Sequence, residues 1–132
     1  MNIQKPWEPI NLEAEQALLG AILMNNDAHA RVSSLIEPHH FSEPFHGHLY
    51  EIMSTLIAMG KLASPVTVQA FIQPVLEGLG MPTKKYVARL ASEATTVVNA
   101  VDYAKHVREI FLQTLDCVRR DPEGPVDWPL AG

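Results

Sequence analysis

Apolar residues recur along this chain at helical spacing, and no alternating apolar–polar run is longer than a few residues. A half-buried sheet needs that alternation, so the pattern predicts an all-α fold, a compact bundle of about six helices. The clearest stripe is Phe45, Leu49, Ile52, Met53 and Leu56, at i, i+4, i+7, i+8 and i+11. Side chains so placed lie on one face of a helix and must be buried together.

Cap and breaker residues divide the chain. Pro9 cannot sit in a helix interior, Asn11 suits an N-cap, and Glu13 and Glu15 fall in the first turn of the first helix. There the positive end of the helix dipole favours a carboxylate by about 0.3–1 kcal/mol. Gly20, in mid-helix, costs about 1 kcal/mol relative to Ala, which either a close approach by another helix or plain tolerance would explain. Asn25-Asn26-Asp27 makes a turn, with Asp27 capping a second helix that ends near Ile36 before Pro38. A loop from Glu37 to Ser42 leads to a third helix capped around Ser42-Glu43-Pro44 and closed by Gly60. Thr67 is expected to cap a fourth helix containing Val68, Phe71, Ile72 and, beyond the stop or kink at Pro74, Leu76. Gly78, Gly80 and Pro82 mark a loop before a fifth helix, capped by Thr83, with Tyr86, Val87, Leu90, Ala91 and Ala94 inward. The last helix, capped by Asn99 or begun slightly earlier, carries Val101, Ala104, Val107, Phe111 and Leu115 towards Val118. The expected organisation is an N-terminal extension over 1–10, a helical domain over 11–120 and a flexible tail over 121–132.

At 132 residues and 47% apolar composition, the chain supports one modest core. The single Cys117 excludes an intramolecular disulfide, fits a reducing compartment and reads as a small helix-face residue. No apolar run approaches a bilayer span and the N-terminus is not a signal peptide, so the expected location is the cytoplasm and no membrane partner is expected. A net charge of −5 argues against a domain that grips nucleic-acid phosphates by itself. The charge is uneven: Met1 to Glu77 holds three basic residues against eight acidic, and Lys84 to Arg120 seven against four.

Catalytic constellations are sparse. No Gly-x-x-x-x-Gly-Lys-Ser/Thr loop is present to cradle a triphosphate, so ATP hydrolysis by this chain alone is not expected. His39, His40, His46 and His48 raise a metal-dependent hydrolase as a rival reading, but His46 and His48, two apart, face different sides of a helix. With no His-Glu-x-x-His and no Cys pair, they read as loop or helix-start histidines, and neither metal nor cofactor is expected. Glu13 and Glu15 likewise diverge on a helix, and read as helix-start stabilisers rather than an acid–base pair. Lys85 and Arg89 share a helix face, with Lys84 beside them. That gives a candidate basic contact face for an acidic partner or passing single-stranded DNA, against the alternative of a merely solvated face. Tyr103 and Ile110 widen the stripe of the last helix beyond one side, so Tyr103, Val107, Ile110, Phe111 and Leu115 form a candidate association surface.

Two motifs carry more than periodicity. Pro9-Ile10-Asn11-Leu12-Glu13-Ala14-Glu15-Gln16-Ala17-Leu18-Leu19-Gly20 resembles, almost letter for letter, the opening of the N-terminal domain of the DnaB-type replicative DNA helicases. Asn99-Ala100-Val101-Asp102-Tyr103-Ala104-Lys105-His106-Val107-Arg108-Glu109 is similar to that family's closing motif. Phe41, His46, Leu49-Tyr50, Gly60, Pro65-Val66-Thr67 and Tyr86 to Leu90 are spaced like its middle landmarks. The resemblance implies the helical head of that domain, without catalysis of its own. It also implies a role in assembling or regulating a hexameric helicase, with the motor domain or hexamer and a primase or loader as partners, and weak homo-oligomerisation. Pro74, Met81-Pro82-Thr83 and the Thr95 to Val98 segment depart from the family pattern, and the sixth helix runs into Asp121-Pro122 where the family continues into a seventh. Hairpin-mediated dimerisation is therefore not carried over. The tail's composition favours a complete small protein, an adaptor or inhibitor of a host helicase, over an excised piece of a longer one.

Overall fold

A computed structural model describes residues 12–76, 78–94 and 99–120, the last four by backbone alone. The described residues form six α-helices and a 3-10 turn, with no strand among them. The helices are α1 (Leu12–Met24), α2 (Asp27–Val32), α3 (Pro44–Ala58), α4 (Pro65–Gln69), α5 (Thr83–Ser92) and α6 (Ala100–Arg120), with the 3-10 turn at Pro38–His40. Asn11, Cys117, the Thr95 to Val98 break and the tail are outside what is described of backbone or side chain.

The helix α1 lies at the centre. It packs on α2, α3, α5 and α6, and buries Ala14, Glu15, Leu18, Leu19, Gly20, Ala21, Ile22 and Leu23. A helix apolar most of the way round is the one its neighbours surround. Gly20 is there because α5 comes close: a Cβ on it would strike the Leu90 carbonyl oxygen and sit 3.3 Å from the Ala94 Cβ. Around α1 the core is completed by Phe45, Leu49, Met53 and Leu56 of α3, Val87, Leu90 and Ala91 of α5, and Ala100, Ala104 and Val107 of α6.

The helix ends differ from expectation in instructive ways. Glu43, not Ser42, caps α3, its carboxylate accepting the Phe45 N–H at 3.1 Å, while the Ser42 N–H and hydroxyl both donate to Glu15. Ser64, not Thr67, caps α4, in a reciprocal box: the Ser64 Oγ accepts the Thr67 N–H at 3.2 Å and the Ser64 N–H reaches the Thr67 Oγ1 at 2.8 Å. Thr83 is the first residue of α5 and is wholly buried. Its hydroxyl donates to the Gln73 carbonyl at 2.6 Å, tying the preceding loop to the helix. Asp27 begins α2, and the Asn25 side chain accepts its N–H at 3.0 Å. The predicted fourth helix stops at Gln69, two residues short of Phe71, which is consequently 58% exposed. Gly60 ends α3 as expected, at φ +76°, with its N–H on the Ile57 carbonyl and that of Lys61 on Leu56, the paired bonds of a Schellman cap.

Candidate functional site

Three regions carry the chemistry: a buried polar network, the outward part of α6 and the start of α5. Glu15 is 3% exposed and His46 1%. Each lies in the apolar register of its helix, Glu15 with Leu18, Leu19 and Ile22, His46 with Leu49, Tyr50 and Met53. One Glu15 oxygen accepts the Ser42 N–H at 2.8 Å and the Ser42 hydroxyl at 2.6 Å. The other takes His46 Nδ1 at 2.7 Å and, more distantly, the Glu43 N–H at 3.4 Å. On its far side His46 Nε2 meets the Tyr86 hydroxyl at 2.7 Å, and Gln16 Nε2 donates to that hydroxyl at 3.0 Å. A carboxylate only accepts, so Nδ1 carries a proton, and the bond between Nε2 and the Tyr86 hydroxyl closes the chain.

Burial pushes the Glu15 carboxyl up, but the bonds from His46 and Ser42 outweigh it and hold the pKa below its ordinary value. Burial raises that of the Tyr86 phenol. A carboxylate–imidazole–hydroxyl chain is the order of groups in a general-base relay. Here the terminal hydroxyl is a weakly acidic phenol already bonded to Gln16, so the arrangement holds α1, the start of α3 and α5 together rather than presenting a nucleophile. The sequence reading assigned Glu15 to helix-start stabilisation and His46 to the helix start. Both stand in the first turn of their helices, as that reading placed them; what it missed is their burial and the bond between them, and the apolar register of each residue was the signal that could have revealed it.

The candidate association surface on α6 divides. Val107 is buried in the core, while Tyr103, Ile110, Phe111 and Leu115 are half-buried and Leu112 is 44% exposed. Tyr103 lines a depression of about 500 Å³ between α1 and α6, with Glu13, Ala17, Asp102 and His106 among its walls. The Phe111 ring packs on the 3-10 turn, its centroid 5.3 Å from His39 and 4.9 Å from His40. Those two histidines, 4.4 Å apart, thus face an aromatic ring. No group of three or more potential metal ligands converges among the described residues.

Lys84, Lys85 and Arg89 are exposed on α5, and Arg89 Nε is paired with Glu93 at 3.1 Å. A pair this exposed adds little stability and leaves the face only partly basic. A region that the sequence reading missed is a groove beside α3, floored by Ile52 and Leu56 and bordered by exposed Met59 and Phe71. The early end of α4 creates it by leaving Phe71 outside the core. No helix among the described residues is long and apolar enough to cross a membrane.

Against known proteins, residues 8–109 match the model of the DnaB-like helicase N terminal domain. The chain is 31% identical over 105 residues to the replicative DNA helicase DnaB of Rickettsia typhi, covering 80% of this chain and 21% of that protein. With the replicative DNA helicase DnaC of Bacillus subtilis it shares 34% identity over 103 residues, 76% of this chain and 22% of the relative. It thus spans about a fifth of the length of these curated relatives. The crystal structure of the N-terminal domain of DnaB helicase from Mycobacterium tuberculosis superposes with a TM-score of 0.75 at 32% identity, covering 90% of this chain and 85% of that one. The described part of the opening motif, Leu12 to Gly20, lies on α1 and the closing motif lies largely on α6, two helices that pack against each other, and the chain belongs to the DnaB-like helicase N-terminal domain family.

Proposed function

We propose that this chain acts in DNA replication as a non-catalytic helical domain of, or derived from, a replicative helicase. It supports assembly or regulation of the hexamer and docks a primase or helicase loader. The observation that carries this reading is the outward face of α6, where Ile110, Phe111 and Leu115 stay half-buried and Leu112 exposed in a family whose relatives are replicative helicases. Apolar side chains left at a surface gain free energy when a partner covers them. Tyr103 extends that face towards α1, Val107 anchors it from within, and Lys84, Lys85 and Arg89 offer a secondary contact to an acidic surface. On this reading the chain works in the cytoplasm, hydrolyses no ATP by itself and reaches DNA only through its partners.

The test is titration with the full-length cognate helicase and, separately, with the helicase-interacting domain of the cognate primase. Binding at tens of micromolar or tighter, about 6 kcal/mol or more, is expected with at least one of them. It should weaken tenfold or more in an Ile110→Ser, Leu112→Ser, Leu115→Ser variant that keeps its helical circular dichroism. Absence of binding to both at that concentration would remove the reading. Binding to the helicase that blocks its ATPase would instead identify an inhibitor.

A further inference from the structure

Five of the exposed large apolar side chains, Met59, Leu62, Val66, Phe71 and Val75, fall within residues 59–75, away from α6 in sequence. Met59 and Phe71, each 58% exposed, stand at a groove of about 320 Å³ whose remaining apolar lining is Ile52 and Leu56. Among the described residues the charged ones lining it are Glu51 and Lys61, both exposed and of opposite sign. Thr55, also at the groove, turns its hydroxyl onto the Glu51 carbonyl at 3.0 Å, so that polar group is already used. Such a site takes apolar side chains and offers almost no hydrogen bonds.

The chemistry of the occupant follows. Among the described residues there is no strand, so no sheet edge is available to pair an extended peptide. A segment entering an apolar groove must then satisfy its own backbone, which a helix does. Glu51 lies in the middle of α3 and Lys61 just beyond its C-terminal end, a separation of about two to three helical turns. A partner helix gains most when its own acidic residue is in its first turn and its basic residue in its last. Placing the acidic end by Lys61 and the basic end by Glu51 runs it antiparallel to α3, which also opposes the two helix dipoles. We infer that this groove docks a short amphipathic helix of a partner protein, antiparallel to α3. Its apolar residues, at i, i+3 or i+4 and i+7, enter between Met59 and Phe71; its N-terminal carboxylate meets Lys61 and its C-terminal Lys or Arg meets Glu51. The inference is independent of the α6 surface, since it uses other residues.

The probes are two stapled helical peptides with identical Leu ridges, one with Glu in the first turn and Lys in the last, the other with these charges exchanged. Fluorescence anisotropy with the intact chain should give a Kd of tens of micromolar or tighter for the first peptide and at least fivefold weaker binding for the second. Glu51→Lys with Lys61→Glu should invert that preference, and Phe71→Ser, at a position already exposed, should weaken the first peptide tenfold or more with circular dichroism unchanged. Labelled methionine methyls should show the Met59 signal shifting first. The inference falls if neither peptide binds at 500 µM (about 4.5 kcal/mol), or if the charge exchange leaves the preference unchanged. It also falls if sedimentation shows the wild type self-associating through this groove and Phe71→Ser abolishing it, which would assign the groove to a second copy of the chain.

Discussion

A carboxylate taken out of water costs several kcal/mol unless donors meet its oxygens, and four donors, from Ser42, Glu43 and His46, meet those of Glu15. Glu15→Gln keeps the shape but removes the charge that strengthens these bonds, and is expected to cost about 2–3 kcal/mol in urea unfolding at pH 7. The sign of the pH dependence follows from the lowered pKa. The folded state binds its proton less readily than the unfolded chain, so Glu15 stabilises above the ordinary carboxylate range and that contribution is lost as pH falls through the folded pKa. The urea midpoint of the wild type should therefore drop more steeply below about pH 5 than that of Glu15→Gln. His29, its Nε2 2.8 Å from the Ser54 hydroxyl, has its pKa lowered by burial and adds a shallower loss as pH falls below about 6.5. Gly20→Ala gains about 1 kcal/mol in helix propensity yet must push the Leu90 backbone away, and a net loss of about 1–3 kcal/mol is expected.

Among the elements, α6 is held unevenly. Its first half buries Ala100, Ala104 and Val107, and its second half rests on the 3-10 turn through Phe111. A fully buried Phe→Ala change costs about 3–5 kcal/mol. Phe111 is only half-buried, so Phe111→Ala should cost about 1–2 kcal/mol and should speed amide exchange after residue 108 more than in α1. The connector between α3 and α4 depends instead on one amide. Asn26 donates to the Ile22 and Ala63 carbonyls at 2.8 and 2.9 Å, and accepts the Ala63 N–H at 2.9 Å. Asn26→Ala leaves the Ala63 groups without these partners, and a loss of about 1–3 kcal/mol in the same unfolding experiment is expected.

For the whole molecule, the central place of α1 makes the bundle one unit, because α2, α3, α5 and α6 all lose their common partner if it leaves. Far-UV circular dichroism and methyl NMR intensities should accordingly report a single coincident urea transition. Helix count, the Gly60 cap and the central stripe of α3 were legible beforehand because 3.6-residue periodicity and breakers are local properties. The boundaries of α4 and the roles of Ser42 and Thr83 were not, because these side chains bond to residues outside their own helix turn. Ser42 reaches Glu15, and Thr83 reaches Gln73. A capping residue is predictable only while its side chain has no better partner elsewhere.

The sequence by itself determined an all-α bundle, its helix order and its resemblance to the helicase family, since the opening and closing motifs are runs of neighbouring residues. Only the tertiary structure decided that Glu15 and His46 are interior, that Val107 faces the core while Leu112 faces out, and that Phe71 borders a groove. Periodicity shows that a helix has an apolar face, whereas burial depends on how many neighbours surround that helix, and α1 is surrounded where α4 is too short to be.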